Sequence, residues 1–254
     1  METALVQSAL VWEDPGENRR YFSELLKPLA KRVDLIVLPE MFTTGFTMNP
    51  QNIDPDEAPR TLEWMLEQAS RANAALTGST IYREKGRYYN RLIFASPDGT
   101  YDLYDKRHTF TLAGEDKVYT RGTKRLQVNF RGFAICPLIC YDLRFPVWSR
   151  NTEGYDVLIY VANWPSPRVS AWDALLRARA IENMSYVLGV NRIGSDPNGL
   201  NYSGHTAAYD PLGNRLAFAE GEEILRVTLS KSYLKETRDS LRFLQDQDRF
   251  SLES

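Results

Sequence analysis

Cysteine and histidine are scarce in this chain of 254 residues, with only two of each. Two cysteines, Cys136 and Cys140, exclude a disulfide framework. Two histidines, His108 and His205, argue against a histidine-rich metal site. No apolar run approaches the ~20 residues that span a bilayer, so no membrane partner is expected. Neither sign of charge is in surplus: 31 Lys and Arg against 33 Asp and Glu leave a net charge of −2. That balance gives no drive toward nucleic acid or an anionic membrane surface. The opening segment, METALVQSALVWEDPGENRR, lacks a basic start, a long apolar stretch and a small-residue cleavage site. It predicts no secretory signal, and the cytoplasm is the expected compartment. Asn-x-Ser matches at Asn183 and Asn201 then read as chance. Gly/Ser linkers, low-complexity tracts and long charge blocks are missing too.

What is present is ordinary globular composition, 43% hydrophobic and 25% charged, which argues against disorder. At roughly 100–200 residues per domain, the length allows one large domain or two small ones. Along the chain, strand-like and helix-like segments alternate. Ala4 to Val11 is a mostly apolar run, expected as a buried strand. Phe22, Leu25, Leu26, Leu29, Ala30 and Val33 lie on one helical face. Pro28 inside that stripe predicts a kink or a late start. Val33 to Leu38 is a short β-branched strand ending in Pro39-Glu40. Leu62, Met65, Leu66 and Ala69 mark a second helix. Residues 77–106 read as strands, with turns at Lys85-Gly86 and Pro97-Asp98-Gly99.

The second half repeats this order. Phe133 to Cys140 is an apolar strand, which Pro137 demotes to an edge or bulged strand. Tyr155 to Ala162 is another strand. Trp172, Leu175, Leu176, Ala180 and Met184 form a helical stripe. Residues 187–219 again read as strands, with a turn at Asp210-Pro211-Leu212-Gly213-Asn214. Strands that are apolar throughout need both faces covered. Two αβ halves packed sheet to sheet satisfy this as a four-layer α-β-β-α sandwich. A three-layer, doubly wound α/β fold, with all strands in one sheet, is the alternative. In both, reactive groups are expected just beyond the carboxyl ends of strands.

Three polar residues follow apolar strands: Glu40, Lys106 and Cys140. Each has an ordinary reading: a helix-capping carboxylate, a solvated lysine and a buried small hydrophobe. A Cys136–Cys140 disulfide fails on geometry. On a strand the two would lie roughly 13 Å apart at ~3.3 Å per residue, against a limit of about 7 Å. Cys140 therefore reads as a lone thiol. A nucleophilic thiol needs a base, and no papain-like or caspase-like context surrounds it. The G-x-S-x-G elbow, the Walker loop and the G-x-G-x-x-G fingerprint are all missing. A buried glutamate can take a thiol proton and return it to a leaving group. A nearby lysine can hold an oxyanion. Glu, Lys and Cys at three strand ends would make a complete amide-cleaving site.

Longer motifs carry a family resemblance. They are Leu38-Pro39-Glu40-Met41-Phe42, Tyr104-Asp105-Lys106-Arg107-His108 and Ile139-Cys140-Tyr141-Asp142-Leu143-Arg144-Phe145-Pro146. Arg177-Ala178-Arg179-Ala180-Ile181-Glu182-Asn183 and Val190-Asn191-Arg192 follow. In this order the chain resembles the nitrilase, or carbon–nitrogen hydrolase, superfamily over nearly its whole length. The resemblance implies the same four-layer sandwich, commonly as a homodimer or larger assembly, and no metal or organic cofactor. It assigns Glu40 as general base, Lys106 as oxyanion stabiliser and Cys140 as nucleophile. It adds Glu115 as a second glutamate, the Tyr141 N–H as a second oxyanion donor, and Asn163 and Trp164 as pocket residues.

Tyr141-Asp142 stands where nitrilases tend to carry Trp-Glu, which points to the amidase branches. Cys-Tyr-Asp-Leu-Arg-Phe-Pro together with Ala162-Asn163-Trp164-Pro165 resembles the bacterial ω-amidases. Their substrates are small 2-oxo dicarboxylic acid monoamides such as 2-oxoglutaramate. A carboxylate at the far end of the substrate wants a cation, and Arg144 and Arg168 are the candidates. Phe42, Phe46 and Phe145 are candidate apolar walls, with core packing as the other reading. Other amide or N-carbamoyl hydrolysis, or a non-catalytic scaffold on the same fold, are the alternative functions. The length now reads as one domain over residues 1–254, with 231–254 as a surface segment or a dimer-contacting tail.

Overall fold

The structure is a computed structural model that describes residues 1–252; the last two residues of the expected tail lie outside the described residues. The first half runs β1 (Glu2–Gln7), α1 (Pro15–Leu26), β2 (Leu35–Val37), α2 (Glu57–Ala72), β3 (Ala75–Glu84), β4 (Arg87–Ala95) and β5 (Tyr101–Asp105). A short α3 (Glu115–Val118) leads to β6 (Val128–Phe130), β7 (Phe133–Ile139), α4 (Pro146–Ser149) and β8 (Val157–Ala162). Then come α5 (Val169–Asn183), β9 (Tyr186–Asn191), β10 (Ile193–Ser195), β11 (Asn201–Ser203), β12 (Ala207–Tyr209), β13 (Arg215–Phe218), β14 (Glu223–Thr228) and α6 (Lys231–Leu241).

Two six-stranded sheets result, in the orders β14-β1-β2-β3-β4-β5 and β6-β7-β8-β9-β12-β13. The repeat expected from the sequence is therefore topological. In each half two parallel pairings are followed by antiparallel ones. Strand alternation explains the layers. Leu5, Leu35, Val37, Leu92 and Phe94 enter the core shared with β7, β8 and β9. Their neighbours Ala4, Val6, Ile36, Leu38 and Ile93 face Phe22, Leu26, Trp64 and Met65 of α1 and α2. Both faces are buried, and the sheets stack between helices as a sandwich. The doubly wound single sheet is excluded. On the far side α5 lies so close that a Cβ at Gly189 would fall 2.4 Å from Leu176.

Several local expectations change. Pro28 ends α1 at Leu26, and a 3₁₀ turn over Lys27–Leu29 follows. The missing N–H and the ring clash stop the α-helix there. Leu29 and Val33 remain buried, but Ala30 is exposed. Pro137 sits in an interior strand, contrary to the edge expectation. β6 pairs only as far as Ile135, so at Pro137 one side of β7 has no partner. The turn at Lys85-Gly86 has positive φ at both residues (50° and 75°), as a two-residue hairpin requires. α6 lies on its own chain: Leu234 is buried, and Arg238 bonds Asp156 (3.1 Å) and Tyr155 O (2.6 Å).

Candidate active site

Parallel pairing brings the key residues to one edge. Glu40 follows β2, and Lys106 ends the β3–β4–β5 meander. In the other sheet Ile139 faces Val161, so Cys140 and Asn163 leave adjacent parallel strands together. Glu40 and Asn163 follow the corresponding strands of the two halves. They also touch: the Asn163 N–H donates to Glu40 Oε2 (2.8 Å) and Asn163 Nδ2 to Glu40 O (2.6 Å).

Lys106 Nζ donates to Glu40 Oε1 (2.8 Å) and to Glu115 Oε2 (2.9 Å). All three side chains are buried, at 1%, 0% and 0% exposure. Two carboxylates thus share one ammonium away from water. Asn90 on β4 joins them, donating through Nδ2 to Glu40 (2.8 Å) and Glu115 (3.1 Å). Burial alone would lower the Lys106 pKa, but the charges of Glu115 and Glu40 reverse this and the ammonium is held firmly protonated. Burial pushes the Glu115 carboxyl up, Lys106 pulls it down and Glu40 adds to the rise; the net shift is upward. Burial also raises the Cys140 thiol well above its ordinary value, Glu40 adds to that, and Lys106 opposes it. Cys140 is a resting thiol that needs a base at the moment of attack.

Cys140 sits at φ +42°, where β7 turns into a 3₁₀ helix over Cys140–Arg144. A left-handed non-glycine residue costs of order 1–3 kcal/mol and persists only where its surroundings impose it. Asp142 supplies that constraint. Its carboxylate accepts from Ile139 N (3.0 Å), Tyr104 OH (2.7 Å) and His108 N (3.0 Å), and bonds His108 Nδ1 (2.8 Å). Tyr104 and His108 flank Lys106, and Ile139 precedes Cys140. One carboxylate therefore ties the lysine segment to the thiol turn. Arg179 of α5 adds a second hold, donating to Leu143 O (2.6 Å). Tyr141, in the first turn of this short helix, has an N–H with no partner inside the helix.

A cavity of about 340 Å³ opens over this edge. Lys106, Cys140, Tyr141, Asn163 and Trp164 line it. So does Phe46, whose ring centroid lies 5.0 Å from Lys106 Nζ. Arg144 and Arg168 line it too, stacked on Trp164 (4.8 Å) and Phe110 (5.3 Å). Neither has a carboxylate partner among the described residues. Asp196, also in the wall, is occupied by Tyr202 OH (2.9 Å) and two backbone N–H groups. The cavity thus presents both a thiol and positive charge that no carboxylate of the described residues takes up.

Two expected wall residues are placed elsewhere. Phe42 is fully buried between Phe22 and Trp64, beneath the helices. Phe145 stacks on His108 at 3.7 Å and backs Tyr141. Neither lines the cavity. Sequence reasoning missed Asn90 and gave no role to Asp142 and Asn191, which it met only as members of motifs. Asn191 accepts from Trp164 N (2.7 Å) and donates to Trp164 O (2.9 Å). The signal for all three was a polar residue within or beside an apolar strand.

A thiol, a paired carboxylate–ammonium and a cationic cavity come together between the two stacked αβ halves. The chain belongs to the carbon-nitrogen hydrolase family, whose model matches residues 2–239. It is 44% identical to Omega-amidase YafV of Escherichia coli (strain K12), over 99% of this chain and 98% of that one. It is 32% identical to the 2-oxoglutaramate amidase of Bacillus subtilis (strain 168), over 95% of each. Its structure is similar to that of XC1258 from Xanthomonas campestris, a CN-hydrolase superfamily protein with an arsenic adduct in the active site. That match has a TM-score of 0.96 and 42% identity, over 100% of this chain and 99% of that one.

Proposed function

We propose that this protein is an ω-amidase that hydrolyses the terminal amide of 2-oxo dicarboxylic acid monoamides, such as 2-oxoglutaramate and 2-oxosuccinamate. The observation that carries this is one cavity lined by Cys140 and Lys106 and by two unpaired guanidinium groups, Arg144 and Arg168. The names of the similar ω-amidase and 2-oxoglutaramate amidase support it.

Glu40, Lys106 and Cys140 act as the reacting set. Cys140 gives its proton to Glu40 as sulfur attacks the amide carbon, and the carbonyl electron pair moves to oxygen. The Lys106 ammonium and the Tyr141 N–H hold that oxyanion; one such donor is typically worth about 10²–10³ in rate. Glu40 passes the proton to nitrogen, the C–N bond breaks and ammonia leaves a thioester. Glu40 then takes a proton from water, which attacks the thioester, and returns it to the departing sulfur. Glu115 and Asn90 hold Lys106 and Glu40 in register. Arg144 and Arg168 receive the distal carboxylate, to which guanidinium can make paired bonds.

The test is ammonia release from 2-oxoglutaramate, set beside glutamine, an N-carbamoyl amino acid and a simple nitrile. Turnover of 2-oxoglutaramate well above the others is expected. Turnover of only the carbamoyl compound or the nitrile overturns the proposal, and turnover of none would leave a scaffold. Sulfur-acylated enzyme is expected by mass spectrometry, and loss of both adduct and activity in Cys140→Ser.

The reading extends to a cytoplasmic homodimer or larger homo-oligomer, with one domain per chain. Phe243 (57% exposed), Val147 (51% exposed) and Phe250 border a surface groove that Arg150, Glu182, Asp246 and Asp248 also line, a mixed apolar and charged surface open to a second copy. Light scattering of the full chain, and of one ending at Ser230, tests whether the tail contributes.

A further inference from the structure

The cavity is larger than 2-oxoglutaramate needs. Its 340 Å³ falls where pockets hold ligands of drug size, roughly 300–1,000 Å³, whereas this substrate is a short, unbranched chain. The groups that would grip the carboxylate form one connected set. Arg144 stacks on Trp164, the Trp164 indole N–H donates to Arg168 O (2.7 Å), and Arg168 stacks on Phe110, whose ring meets Tyr141 at 4.9 Å. A second set of lining residues is apolar: Trp12, Phe46, Met48 and Leu200. These side chains keep accessible surface, with Leu200 39% exposed and the other three half-buried.

The second set is connected and held in shape. Trp12 packs on Gly45, where a Cβ would fall 2.9 Å from the indole, and Gly45 precedes Phe46. Arg192 lies against the same glycine, and its guanidinium stacks on Tyr202 (4.6 Å). The Tyr202 hydroxyl donates to Asp196 Oδ2 (2.9 Å), while Asp196 Oδ1 accepts from Leu200 N (3.0 Å). Asp196 is spent on pinning the hairpin that carries Leu200. Asn49 and Asn198, which also line the cavity, are exposed and uncharged. Phe46 joins this set to the reacting groups, its ring 5.0 Å from Lys106 Nζ. With the amide at Cys140 and Lys106 and the carboxylate at the arginines, a branch on the chain between them has the Phe46 side of the cavity open to it. We infer that Trp12, Phe46, Met48 and Leu200 form an apolar subsite, and that the substrate class includes primary monoamides of dicarboxylic acids bearing an alkyl or aryl branch between amide and carboxylate. Such a branch displaces water from the four side chains, which is the source of its affinity. This rests on the ω-amidase reading for the positions of amide and carboxylate.

The experiment compares kcat/KM for glutaramate with kcat/KM for racemic 3-methyl-, 3-propyl- and 3-phenylglutaramate. A fully buried methylene is worth about fourfold in affinity. A rise of about two- to fourfold per methylene is expected, with the phenyl compound at least about tenfold above glutaramate. In Leu200→Ser and in Trp12→Leu the phenyl-to-unbranched ratio is expected to fall at least about threefold. A kcat/KM that falls as the branch grows would overturn the inference, and so would a ratio that neither substitution moves. A second measurement needs neither turnover nor a variant: protection of Cys140 from iodoacetamide by 3-phenylglutarate and by glutarate. Protection by 3-phenylglutarate at about tenfold lower concentration is expected; equal or weaker protection would overturn the inference. If the enzyme hydrolyses neither 2-oxoglutaramate nor glutaramate, the ω-amidase reading fails, and the protection assay still decides the subsite.

Discussion

Asp142 holds His108 at two points, through the backbone N–H at 3.0 Å and ring Nδ1 at 2.8 Å. An ionised carboxylate only accepts, so Nδ1 carries the proton. The imidazole is thereby tied into the Asp142 network and stacked on Phe145. Asp142→Ala would leave four donors around the thiol turn without an acceptor. A loss of about 3 kcal/mol or more is expected from the urea midpoint, since each orphaned donor costs about 1–3 kcal/mol. The turnover number is expected to fall more than KM changes, because Cys140 and Lys106 lose their shared anchor.

Glu40→Gln is expected to separate thiol ionisation from catalysis. After burial, the Glu40 charge is the main influence raising the Cys140 thiol, and Lys106 opposes it. Removing that charge lowers the thiol pKa, so iodoacetamide labelling of Cys140 should begin at lower pH than in the unmodified enzyme. Amide turnover should fall by about 10²–10⁴-fold, because no group remains to carry the proton to nitrogen. Cys136 does not confuse the assay, since it is 1% exposed and closed to the reagent, whereas Cys140 lines the cavity. An unchanged labelling profile would show that Glu40 does not act on the sulfur.

Lys106→Met removes the ammonium that two buried carboxylates share. Breaking a buried pair from one side typically costs about 3–5 kcal/mol. The pH dependence has a definite sign. Lys106 pulls the Glu115 carboxyl down, so without it that pKa rises further above its unfolded value. Such a group stabilises the fold below its unfolded pKa and loses that contribution as pH rises through the folded one. The variant should therefore melt furthest below the unmodified protein at neutral pH, and the gap should narrow toward acid pH.

Arg144→Ala and Arg168→Ala test the distal end of the cavity. Each is expected to raise KM for 2-oxoglutaramate by about tenfold or more, the value of a charge-assisted bond. A simple aliphatic amide without the carboxylate should show no such change. Steady-state kinetics on both substrates makes the comparison; equal effects on both would assign the arginines to cavity shape alone.

Local pattern carried much of this protein. Strands apolar on both faces require two covering layers, which admitted both the sandwich and a doubly wound single sheet; the family resemblance pointed to the sandwich. Glu40 and Cys140 were visible as reactive side chains placed after apolar runs, and Lys106, which follows Tyr101–Asp105, through the family motif around it. What local pattern could not decide was which polar groups meet. Glu40 and Asn163 are 123 positions apart and Asp142 and His108 are 34 apart, and their contacts depend on the register between separate sheets. The same limit explains Phe42 and Phe145, whose apolar character suits a cavity wall and a core equally well. Pro137 followed a sound local rule, which gave way because β6 ends before reaching it. The scarcity of histidine and cysteine, with the reactive residues at strand ends, was written in the sequence because composition and periodicity are properties of the chain alone. Only the tertiary structure decided that two carboxylates would share one ammonium and that two arginines would go unpaired. Each of these depends on which neighbours the packed sheets bring or withhold.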